Sequence, residues 1–159
     1  MIKKLFIIVV LFITVTACKS KSAYNYSEDI VSKEQSLTPE IEATENKVEK
    51  FIEASQYDSI AVAGENMEKM VQQKIDEINE MPVPDAKGAD DFKAATVRYF
   101  KYIKSLYSGY KKLGKAATEE ERQEVISELQ LLVKEKPSIL SDMQSAQRKF
   151  AESNGFKVK

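Results

Sequence analysis

The chain has 159 residues with 24 basic and 25 acidic side chains, no histidine, no tryptophan and one cysteine. That near balance of charge leaves no electrostatic footprint for nucleic acid. The missing histidine removes histidine-activated nucleophiles, the usual zinc sites and axial haem ligation, and a single cysteine excludes an internal disulfide.

The first element is a leader. Met1-Ile-Lys-Lys is followed by an apolar run from Leu5 to about Thr16, ending in Val15-Thr16-Ala17-Cys18. A basic start, about a dozen apolar residues and small residues at the cut are the pattern of a secretory signal peptide. The run is too short for a spanning helix, which needs roughly 20 residues. Val-Thr-Ala-Cys resembles the lipobox of bacterial lipoproteins. The resemblance implies removal of residues 1–17, diacylation of Cys18 on sulfur, and a membrane partner reached through that N-terminal lipid anchor. Two or three acyl chains give stable anchoring at ~0.8 kcal/mol per buried methylene. Lys19-Ser20-Lys21-Ser22 follow, with no aspartate after the cysteine, which implies an outer-membrane location. Periplasmic and outward orientations both stay open. Cleavage removes Lys3 and Lys4 and no acid, so the net charge falls from −1 to −3.

Lys19 to Tyr24 is polar and reads, with Cys18, as a short tether over residues 18–24, reaching ~20 Å at most. Residues 25–156 then form one domain, large enough for a core without metal or disulfides. Helix one carries Ile30, Leu37, Ile41, Thr44, Val48, Phe51 and Ile52 on one stripe and ends near Ser55. Asp58 or Ser59 can cap helix two, whose stripe is Ile60, Gly64, Met67, Val71, Ile75 and Ile78. Met81-Pro82-Val83-Pro84 stops it, because each proline disfavours helix in the residue before it.

Residues 85–88 are loop. Helix three runs from about Ala89 to Lys115, carrying Phe92, Ala95, Tyr99, Tyr102, Ile103, Leu106, Tyr110 and Leu113. Helix four opens on Thr118, with Glu121 placed to close a capping box. Its stripe is Val125, Leu129, Leu132, Ile139, Met143, Ala146 and Phe150, and Asn154-Gly155 ends it. Pro39 and Pro137 interrupt helices one and four; the stripes stay in phase across them, which predicts kinked but continuous helices. Short connections predict an all-α, antiparallel up-down-up-down four-helix bundle. The turns near residues 55–58 and 116–118 lie at the end away from the lipid.

No residue constellation calls for catalysis, a metal or a cofactor. Glu119-Glu120-Glu121 and Asp90-Asp91 sit in first turns, where they favour the helix dipole. Lys101, Lys104, Lys111, Lys112 and Lys115 read as a solvated face, with an anionic partner as the other reading. The aromatics of helix three admit two readings. Tyr99 and Tyr110 read as core, with Tyr110 level with the small Ala63 and Gly64. Phe100 and Tyr107 lie at the stripe's edge, where core packing and a ligand or partner surface are both open. Met67 and Met70, with Gly64 and Gly114, would give such a surface an adaptable wall.

Three stretches carry a family likeness: residues 26–35 opening helix one, Ala94 to Tyr107, and the ending Ala146-Gln-Arg-Lys-Phe-Ala-Glu-Ser-Asn-Gly-Phe156. With the lipobox, they make the chain resemble a family of small uncharacterised bacterial surface lipoproteins with a four-helix domain. That resemblance implies an envelope location and no catalytic residues. The expected function is a non-catalytic binding module for an envelope protein. The rival is a periplasmic carrier or holdase taking a lipid or unfolded chain in an apolar groove.

Overall fold

Local capping chemistry sets the helix boundaries. The computed structural model describes the backbone of residues 2–158 and the side chains of residues 19–158; the side chains of the leader and of Cys18 lie outside the described residues. The described residues form four helices: α1 (Ile2–Glu53), α2 (Tyr57–Glu80), α3 (Ala89–Lys115) and α4 (Glu119–Ser153). The fold is all-α, with no strand among the described residues. None of its described helices is long and apolar enough to cross a membrane.

α1 ends where Ser55 turns left-handed (φ 55°), so that Ser55 N–H donates to Ile52 O and Gln56 N–H to Phe51 O. These paired bonds satisfy two carbonyls that a helix end leaves free. α2 starts at Tyr57 with Gln56 before it and no side-chain cap; Asp58, expected as a cap, lies inside the first turn. There its charge still favours the dipole. Lys93 Nζ donates to Asn79 O and Met81 O, at 2.8 and 2.9 Å, closing the far end of α2. Thr118 and Glu121 form the full reciprocal capping box of α4. α4 closes on Gly155 (φ 74°), with Phe156 N–H donating to Ala151 O and the Phe156 ring against Phe150 at 5.7 Å.

The core falls into three clusters. Ala23, Tyr26 and Ile30 of α1 pack with Ala89 and Phe92 of α3 and Met143 and Phe150 of α4. Leu37 packs with Met67, Val71, Ile75 and Ile78 of α2 and Phe100, Tyr102, Ile103 and Tyr107 of α3. Val48, Ile60 and Leu113 make the third, with Val125, Ile126 and Leu129 of α4 against them. α2 and α3 form the most extensive helix pair, followed by α3 and α4. Gly64 and Gly114 let α2 and α3 approach so closely that a β-carbon at either would collide with the opposing backbone. Gly109 similarly admits the Leu129 side chain of α4.

Three sequence expectations change. Residues 19–24, read as a tether, are helical, and Ala23 is fully buried among the aromatics of the first cluster. Polar composition suggested a linker, but Ala23 continues the buried line of Tyr26 and Ile30 and packs with Phe92 of α3 and Phe150 of α4. Ile52 sits off the buried stripe and is 49% exposed, whereas Phe51 packs inward. The α4 stripe is only half-buried before Met143, with α3 as its main neighbour. Both α1 and α4 are continuous through their prolines. Pro39 and Pro137 are exposed, so the carbonyls of Gln35 and Val133 that lose their donors can be hydrated.

Candidate interaction groove

A concavity lies between α1 and α2. Glu40, Thr44, Lys47 and Phe51 follow one face of α1 at spacings of four, three and four. Asp58, Ser59, Val62, Ala63, Asn66, Met67, Lys69 and Met70 line the other side. It has a volume of ≈ 800 Å³, within the range of about 300–1,000 Å³ typical of ligand clefts. The physical cause is side-chain size. Thr44, Ser59 and Ala63 all line it, and these short side chains leave space between the two helix backbones. Met67 and Thr44 are buried and form the floor, while Phe51, Ala63 and Met70 are half-buried. Val62, also in the lining, is 60% exposed.

The rim charges are mixed. Glu40 and Asp58 oppose Lys47 and Lys69, and Lys69 also pairs with Glu65 at 2.9 Å on α2. That hydrogen bond and charge hold the Glu65 carboxyl below its ordinary value. A surface of this kind, an apolar floor with alternating charge along its edges, is suited to an amphipathic segment rather than to a small anion or cation.

Met67 and Met70 are therefore brought together with the groove, Met67 beneath it and Met70 on its wall. Phe100 and Tyr107 are not. Both are essentially inaccessible, at 1% and 2% exposure, and belong to the central core. They lie about 140–160° around α3 from Tyr102, counting ~100° per residue, which turns them toward α2 rather than outward. Tyr99 and Tyr110, read as core, are the less buried pair. Tyr110 Oη donates to Glu45 of α1 at 2.8 Å. Burial, then the neighbouring Glu45 carboxylate, pushes the Tyr107 and Tyr110 hydroxyls well above the usual tyrosine range.

The basic stripe of α3 is largely spoken for. Lys104 donates to Gln72 Oε1 at 2.7 Å, Lys111 pairs with Glu68 at 3.2 Å and Lys112 with Glu128 at 3.1 Å. These bonds tie α3 to α2 and α4; carboxylates balance Lys111 and Lys112, whereas Gln72 is neutral and leaves the charge of Lys104 in place. Among the described residues, no group of three or more histidine, cysteine, aspartate or glutamate side chains is placed to hold a metal ion.

Family models, curated proteins and solved structures were compared with the chain. None matches. The groove is thus read from its own chemistry. Its sequence signal was present but faint: Val62 and Met70 are apolar positions off the core stripe of α2, flanked by the small Ser59 and Ala63.

Proposed function

We propose that this chain is a non-catalytic lipoprotein of the bacterial cell envelope, held in the outer membrane by acyl chains on Cys18, that binds an envelope protein through the α1–α2 groove. The groove is the observation that carries the reading. It combines an apolar floor, two adaptable methionines and a mixed-charge rim, and it reaches the turn at residues 54–56, at the opposite end of α1 from Lys19.

The contacts between helices support an up-down-up-down course. The start of α2 at Tyr57 and Ala61 lies against Gly114 at the end of α3, Gly64 lies against Lys111, and Asn79 near the end of α2 meets Lys93 near the start of α3. α3 and α4 then run so that Phe92 meets Phe150 at 5.4 Å. Bends at Pro39 and Pro137 fit this course, since each proline removes one internal hydrogen bond. Both membrane-side termini then lie at one end and the groove toward the other.

The test is a photo-crosslinking amino acid at Val62 in intact cells. A discrete adduct with one envelope protein, lost when Met70→Glu is added, is expected. The same bulk neighbours captured from Val62 and from Gln130 on α4 would overturn the proposal. The methionines favour one second reading, a carrier of lipid or unfolded chain. A rise in the melting temperature with added fatty acid or lipid would select it, and no shift across a lipid panel would remove it.

A further inference from the structure

Two concavities adjoin along the seam between α3 and α4, with volumes of ≈ 670 and ≈ 350 Å³, and share Ala95, Arg98 and Asp142 in their linings. Small or partly buried side chains, among them Ala95, Ala146 and Ile139, lie between the edges. The edges themselves are charged. Asp91, Arg98 and Lys101 stand on α3, and Lys149, Asp142 and Glu135 on α4. All six are exposed, and none forms an ion pair among the described residues. Farther along the same two helices Lys112 and Glu128 do pair, at 3.1 Å.

Phe92 stands 5.4 Å from Phe150, and the Leu129 side chain fills the space at Gly109. On the antiparallel course of α3 and α4, these contacts put Asp91 level with Lys149 and Arg98 level with Asp142. Lys101 lies within about a turn of Glu135. The order is thus negative, positive, positive along α3 and positive, negative, negative along α4. Such a surface is complementary to itself. A two-fold axis along the seam lays α3 of one copy on α4 of another, and each charge then meets its opposite at its own level.

We propose that this face binds a second copy of the same chain, side by side and pointing the same way. The charge order selects that symmetry. A two-fold axis across the seam would turn one copy upside down, setting Arg98 against the second copy's Arg98 and Asp142 against its Asp142. Like charges so placed suppress that register. Leu131 belongs to the same face. It precedes Glu135, Asp142 and Lys149 at spacings of four, seven and seven, which keeps all four within a sector of roughly 40° on α4. Its side chain is 60% exposed, and α3 of a second copy would cover it. The lipid-anchored reading of Cys18 points to the same axis independently, because two copies held in one leaflet by their N-termini stand parallel. No residue of the α1–α2 groove is used, so the dimer presents that groove twice.

The mature, full chain, extracted in detergent with micelles in large excess, tests this by native mass spectrometry. The parent should give a dimer whose share falls as salt rises. Two sets of charge reversals separate the edges: Arg98→Glu with Lys101→Glu on α3, and Glu135→Lys with Asp142→Lys on α4. All four positions are exposed, so each variant should keep the parent's helical circular dichroism. Each variant alone should dissociate roughly tenfold more readily, since every reversed charge faces its own sign. Mixed together, the two should recover a heterodimer of parent affinity, because α3 of each then meets α4 of the other with opposite charge. A monomeric parent, reversed variants that dimerise as well as the parent, or mixing without recovery would overturn the proposal. So would a foreign polypeptide retained on the monomer and lost on charge reversal, which would give the face to another partner. The acyl mass on Cys18 is read in the same spectra. Its absence alongside charge-dependent dimers would sink the anchor and leave the dimer standing.

Discussion

A β-carbon on Gly64 would stand 2.7 Å from the carbonyl oxygen of Tyr107 and 2.6 Å from the amide nitrogen of Lys111. Both are backbone atoms and neither can rotate away. Gly64→Ala would gain roughly 1 kcal/mol of helix propensity, and the collision outweighs it. Overpacking of this kind costs about 1–3 kcal/mol, and more where backbone must move. The variant should show a lower urea midpoint at unchanged m-value. A midpoint equal to or above the parent's would mean that α2 and α3 are less tightly apposed.

Removing the Thr118 hydroxyl should cost about 1 kcal/mol, because Thr118→Ala leaves the Glu121 amide without its acceptor. The loss should be local. α4 has no buried residue before Met143, so few contacts oppose fraying of its first turns. Hydrogen exchange should accelerate in residues 119–128 and stay unchanged in α2.

Alkaline pH should unfold the protein progressively. Tyr26 and Tyr99 are raised to about 12, chiefly by burial and then by Asp90 and Glu34 respectively. Tyr107 and Tyr110 are raised further. A folded-state value above the unfolded value of 10.0 means that the native state holds these protons longer. Their contribution is complete below pH 10 and is lost as pH rises through 10 toward 12, at up to ~1.4 kcal/mol per pH unit for each group. On the acid side the sign reverses for Glu77. Its hydrogen bonds with Lys33 and Lys74 hold its carboxyl below the ordinary 4.5, so that contribution is lost as pH falls through this range. Denaturation midpoints across pH 3 to 12 check both limbs.

Tyr26→Phe should stabilise the protein by roughly 1 kcal/mol, since it deletes a buried hydroxyl with no partner. The edge-on contacts of the ring with Phe92 and Phe150, at 6.3 and 6.0 Å, are retained. A fall in melting temperature in detergent would mean the hydroxyl is already satisfied there.

Cys18→Ser should abolish incorporation of labelled fatty acid and leave the uncleaved precursor. Acyl label persisting on the variant would refute the assignment of Cys18 as the attachment residue.

Much of the helical plan was legible because its signals are local. Thr118 with Glu121, Asn154 with Gly155, and the Met81–Pro84 loop each act within a turn of the boundary they mark. The depth of a side chain is a different kind of quantity. Phe100 and Tyr107 are buried because α2 lies against that face of α3, and α2 can lie there only because of Gly64 and Gly114. The groove was partly hidden for the same reason: Thr44 and Ala63 bound a hollow only once α1 and α2 are side by side. Residues 19–24 misled in the opposite direction, since Ala23 carries little hydrophobic signal yet fills a space among Phe92, Phe150 and Tyr26.

The unbroken course of α1 past residues 19–24 has a mechanical meaning. From Lys19 to Glu53 the helix spans roughly 50 Å at ~1.5 Å per residue. If Cys18 bears the lipid, that length sets the standing height of the groove above the bilayer, and the helical screw sets its compass bearing. One residue inserted between Lys19 and Ser22 would change the height by only ~1.5 Å but swing the anchor by ~100° about the helix axis. A partner fixed in the envelope would then meet the wrong side of the molecule, although the buried core from Ala23 onward had been preserved.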